Sequence, residues 1–105
     1  MPIQTNIPLT STAGLAVPAG SYCVLDIHID PRKFLELTMI FYKDQATYAN
    51  MTEAPFFPNT PNLEPRFLHQ LDDAEYAQIS NVNIHQFIQA HLETFFGPGT
   101  TQLVQ

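Results

Sequence analysis

Residues 21–42 read SYCVLDIHIDPRKFLELTMIFY, and the fold class turns on this stretch. Cys23, Leu25, Ile27 and Ile29 alternate with Tyr22, Val24, Asp26 and His28. Successive side chains of an extended strand point to opposite faces, so the first set is expected on a core and the second on the other side. The pattern then repeats: Leu35, Leu37, Met39 and Phe41 share one face, and Phe34, Glu36, Thr38, Ile40 and Tyr42 share the other. Between the two runs, Asp30-Pro31-Arg32-Lys33 is turn chemistry, with proline presetting φ. Two consecutive strands joined this tightly predict an antiparallel hairpin.

Toward the N-terminus, Ile3, Thr5, Ile7 and Leu9 alternate and predict a strand or an extended arm within residues 1–12. Gly14, Pro18, Ala19 and Gly20 then break the pattern. Toward the C-terminus, residues 43–53 are polar and tolerate a loop or one short helical turn. Residues 54–65 contain Pro55, Pro58, Pro61 and Pro65, four of the nine prolines of the chain. Proline removes backbone donors and favours extended chain, so this segment reads as an arm crossing a surface, with Phe56 and Phe57 as its large apolar groups. Residues 66–71 alternate again as a strand. Asp72 with Glu75 fits a capping box, predicting a short helix over about 73–79. Asn83 is expected to cap a second helix over 84–96, whose apolar stripe is Ile84, Phe87, Ile88, Leu92, Phe95 and Phe96. Gly97 stands where a helix-ending glycine belongs and Pro98 blocks continuation. Residues 101–104 can supply a last strand. The whole predicts one α+β domain over 1–105: a small, mostly antiparallel β-sheet with the C-terminal amphipathic helix packed on one face.

Composition narrows the function classes. Hydrophobic residues make up 45% of the 105, but charged residues only 13%, against about 25% in typical soluble domains. The cores of protein interfaces are depleted in charge, so a charge-poor exterior points to extensive contact with other protein. Net charge is −6, with ten acids and four bases. That leaves too few cations for a phosphate-neutralising face, and no nucleic-acid partner is expected. The start lacks the basic and apolar regions of a signal peptide. No apolar run approaches the ~20 residues of a membrane span, so no membrane partner is expected either. Cys23 is the one cysteine. It rules out an intrachain disulfide and a Cys/His zinc pattern, and suits synthesis in a reducing cytoplasm.

Few residues look chemical. Asp26, His28 and Asp30 lie on one strand face, neighbours about 7 Å apart, where two carboxylates flanking an imidazole can hold a metal or act as acid and base. A polar, solvent-facing stripe on a half-exposed sheet is the simpler reading of them. His85 and His91 are six residues apart on the predicted helix, about 240° around it, and do not share a face. Cys23 has no neighbouring cation to lower its pKa. No nucleophile elbow, dinucleotide fingerprint or phosphate loop is present. The expectation is no catalytic, cofactor-binding or metal-binding residue, no cofactor and no small-molecule substrate.

The docking features carry more. The N-terminal segment, through Ile3 and Ile7, can add a strand to a neighbouring sheet. Phe56 and Phe57 offer aromatic anchors on an extended arm, with Pro58 beside them as a further interface residue. Either segment can instead fold back on its own domain. The layout also resembles small structural proteins encoded in the virion modules of tailed bacteriophages. The matching pattern is a short N-terminal strand, the Gly14 and Pro18-Ala19-Gly20 turn, two alternating strands and a proline-containing crossover. It continues with Leu71-Asp-Asp-Ala-Glu-Tyr76, Asn83-Ile-His-Gln-Phe-Ile88 and the Phe96-Gly97-Pro98-Gly99 cap. The resemblance implies a repeated subunit of a head, neck, tail or baseplate, made in the host cytoplasm and carried in the virion. Its partners would be itself, as a homo-oligomer, and other virion proteins. The rival readings are a small acidic regulator or inhibitor of one host protein, and a metal-dependent enzyme using Asp26, His28 and Asp30.

Overall fold

The hairpin forms at residues 21–42. In the computed structural model, which describes residues 2–104, Tyr22–Ile29 (β4) and Phe34–Tyr42 (β5) pair antiparallel from Tyr22↔Tyr42 to Ile29↔Leu35. Asp30 closes the turn by accepting from the backbone N–H groups of Arg32 and Phe34. Lys33 takes the left-handed conformation, φ 66°, as the last residue of a three-residue hairpin loop commonly does.

Three further strands complete the sheet. They are Ile3–Thr5 (β1), Arg66–Gln70 (β6) and Thr101–Leu103 (β7). The order is β6-β5-β4-β1-β7, antiparallel throughout. The helices are Gln45–Asn50 (α1), Asp73–Ala77 (α2) and Asn81–Phe96 (α3). A small separate ribbon pairs Leu9–Thr10 (β2) with Ala16–Val17 (β3). This is the α+β architecture that the alternation predicts.

The inner sheet face is built as the period-two pattern requires. Cys23, Leu35, Leu37, Met39 and Phe41 are buried there, with Leu25, Ile27 and Ile29 half-buried. Ile84, Ile88 and Leu92 of α3 complete this core. Each fully buried aliphatic side chain contributes roughly 1.5–3 kcal/mol. Phe87 departs from the predicted stripe and is 51% exposed. His85 is buried, its Nδ1–H donating to Asn81 O at 2.7 Å.

α3 starts earlier than predicted. Ser80 is its N-cap, with its hydroxyl accepting from Asn83 N at 3.1 Å. Asn83 sits inside the first turn and donates its side-chain amide back to Gln78 O at 2.7 Å. The Asp72–Glu75 capping box forms as read. α3 ends at Gly97, whose φ of 104° suits a residue without Cβ.

Both expected arms lie on their own domain. Ile3 is 0% exposed, on a strand between β4 and β7. Ile7 is half-buried against the core. The proline-rich segment runs first along β5, where Phe56 N donates to Phe41 O at 2.8 Å. It then crosses to the small ribbon, where Thr12 N donates to Phe57 O and Asn59 N to Thr10 O. Phe56 and Phe57 pack on Phe41 with ring centroids 6.0 and 5.7 Å away, Pro58 is buried, and Leu63 anchors the far end. These side chains therefore fill one end of the core instead of projecting from it. Proline-rich chain suits the task, because it covers apolar surface while leaving few backbone donors to satisfy.

Candidate functional site

The polar stripe on β4 does not assemble a metal site. Asp26 and His28 are exposed on the outer sheet face, opposite Thr38 and Glu36. Glu36 is bonded to Arg66 of the neighbouring strand. Asp30 is committed to the hairpin turn. The Phe34 amide, ahead of the Arg32 amide and guanidinium, holds its carboxyl below the usual range. No group of three or more His, Cys, Asp or Glu side chains among the described residues is placed to hold a metal ion. Cys23 is buried within the core, and desolvation pushes its thiol up to about 12. It packs as a small hydrophobe, without thiolate character.

A second feature lies on the inner side of β6. Leu35, Leu71, Ile79, Ile84 and Phe87 line an open cleft of about 190 Å³, rimmed by His69, Glu75, Gln78 and Asn83. His69 Nε2 donates to Glu75 Oε2 at 3.1 Å. The Asp72 amide, and then His69, lower the Glu75 pKa. Both carboxylate oxygens are thus occupied, one by the helix cap and one by the imidazole. The pair braces β6 against α2. Beside it, Phe67 stacks edge-on with Phe87 and His91, at centroid distances of 5.5 and 5.4 Å. Burial pushes the His91 pKa down, favouring its neutral form.

The two edges of the sheet are treated differently. Asn6 N donates to Thr100 O and Val104 N to Pro2 O, so the even-numbered residues of β7 face β1. Alternation then turns the backbone of Thr101 and Leu103 outward. At Thr101 that edge is covered by α3: Glu93 accepts from Thr101 N and Oγ1, and Gln89 donates to Thr101 O. On β6, Leu71 N donates to Lys33 O and Met39 N donates to Pro65 O, so the odd-numbered residues face β5. The backbone N–H and C=O groups of Arg66, Leu68 and Gln70 therefore point away from the sheet. No partner for them occurs among the described residues, and all three residues are exposed.

Side chains frame this open border with apolar surface. Leu68 is 51% exposed at the centre of β6 on the outer face, and Phe87 is equally exposed on the inner side. Phe34, Ile40 and Val24 continue the outer face as half-buried groups. α1 covers that face only at its far end, through Tyr48 against Tyr22 and Tyr42.

Compared with models of protein families, with curated proteins and with solved structures, the chain matches none. The border is thus described by its own geometry. Neither Leu68 nor Phe87 stands out in the sequence. Both sit in regular alternation or helical spacing, and nothing local marks the strand that ends up at an open edge.

Proposed function

We propose that this chain is a non-enzymatic assembly subunit that docks on other protein chains through the open border of its sheet, and that the assembly it serves is a phage virion. The observation that carries the docking reading is the contrast between the two edges. On β7 the outward groups of Thr101 are taken by Glu93 and Gln89, whereas β6 presents Arg66, Leu68 and Gln70 with no backbone partner among the described residues, centred on an exposed leucine. Edge strands are normally blunted by charge, bulges or a covering element, and those left open are templates for strand addition. Arg66 is the one charged residue on β6, and it is tied to Glu36. The low charge content supports the same reading. The virion context rests on the resemblance in turn, crossover and cap pattern.

Native mass spectrometry of the purified chain, alone and co-expressed with the products of its neighbouring genes, tests the proposal. The expected result is a stable complex larger than one chain. A strictly monomeric protein in both settings, carrying a stoichiometric metal or turning over a substrate, overturns it.

A further inference from the structure

The border also constrains what occupies it, an inference that rests on the docking reading above. We propose that β6 pairs antiparallel with β6 of a second copy of this chain, about a two-fold axis through Leu68, making one continuous sheet from two subunits.

The register follows from which groups are available. An antiparallel ladder joins the outward-facing residues of one strand to those of the other. With Leu68 opposite Leu68 of the second copy, Arg66 falls opposite Gln70, and symmetry repeats that pair on the other side. All three outward residues then exchange both backbone bonds. A shift of two residues loses one of the three pairs and sets the leucine against Arg66 or Gln70, according to its direction.

The side chains fit the same register. Gln70 Nε2 is held within its own chain, donating to Arg32 O at 3.0 Å, Lys33 O at 3.2 Å and Leu71 O at 3.3 Å. Its amide oxygen is left as an acceptor with no partner among the described residues. Arg66 uses one terminal nitrogen on Glu36, and a guanidinium has further N–H donors. A donor on one copy therefore meets an acceptor on the other, on each side of a leucine pair. No like charges face each other at the three paired positions. The surface is complementary to itself, the requirement for a closed two-fold contact.

The test uses the full chain. Leu68→Cys sets two thiols on backbones about 5.5 Å apart across the axis, and a short bifunctional maleimide is expected to join them into a covalent dimer. Leu15→Cys, at a position 68% exposed and outside β6, is expected to stay single. Leu68→Lys places like charges face to face and is expected to weaken self-association about tenfold or more, with an unchanged circular dichroism spectrum. Should Leu68→Lys fail to fold, the cross-linking result decides. A homo-oligomer that persists in Leu68→Lys, with no Leu68→Cys cross-link, overturns the two-fold pairing and leaves the assembly reading standing. A chain that stays monomeric alone but complexes with a different protein does the same. A chain monomeric in every setting removes both.

Discussion

Glu93 of α3 and Thr101 of β7 are joined twice: the carboxylate accepts from the Thr101 hydroxyl at 2.7 Å and from its amide at 3.3 Å. The Gly99 amide donates to the other carboxylate oxygen at 3.2 Å. One side chain thereby closes the C-terminal turn and takes an outward backbone amide of β7. Glu75 plays the parallel part at the other end, linking His69 on β6 to the cap of α2. Both ends of the sheet are braced by a carboxylate, but only at Thr101 of β7 does one take an outward backbone group.

These carboxylates set the acid sensitivity of the fold. Hydrogen bonds from the Thr101 hydroxyl and the Gly99 amide lower the Glu93 pKa; the Asp72 amide and His69 lower that of Glu75. A carboxylate with a depressed folded-state pKa contributes stability that is full above its unfolded value. That stability is lost as pH falls through the folded value. Thermal unfolding followed from pH 7 to pH 3 is expected to show Tm falling below the ordinary carboxylate range. Glu93→Gln is expected to have a lower Tm at pH 7 and a shallower fall; equal slopes in the two proteins would refute the assignment.

Thr5 and Ser21 are buried with side-chain oxygens that have no hydrogen-bond partner among the described residues. A buried, unpaired hydroxyl costs about 1–3 kcal/mol relative to an apolar group of the same shape. Thr5→Val keeps the shape and the strand preference. Urea denaturation is expected to show a gain of about 1 kcal/mol, and a loss would show that the hydroxyl is satisfied in solution.

Phe57 contacts Phe41 edge-on inside its own chain. Phe57→Ala is expected to destabilise the monomer by about 2 kcal/mol, less than a fully buried phenylalanine because it is half-buried. Self-association measured below the melting transition should be unchanged. A variant of native stability that no longer assembles would return the aromatic arm to the role of an intermolecular anchor.

Asp26 and Asp30 share a strand face but not a role. Asp30→Ala removes the acceptor of two hairpin amides and is expected to lower Tm. Asp26→Ala, on the open outer face, should leave Tm unchanged, as surface substitutions away from such features usually do. Added zinc or manganese should shift neither protein. A metal-induced rise in Tm that Asp26→Ala abolishes would restore the metal reading.

The hairpin, the capping box at Asp72, the end of α3 at Gly97 and the inward set Cys23, Leu35, Leu37, Met39 and Phe41 were all legible along the chain. Each depends on residues within a few positions of one another, and alternation, caps and turn glycines report such neighbours directly. Ser80 was missed as the α3 cap because Asn83 offers the same capping chemistry three residues later. What only the tertiary structure decided is where distant segments meet. It placed β1 between β4 and β7, folded the proline arm onto Phe41, paired His69 with Glu75, and covered the edge at Thr101 while leaving Leu68 open. Whether a strand lies inside a sheet or at its margin depends on which neighbours occupy its two sides, and no periodicity within the strand itself records that.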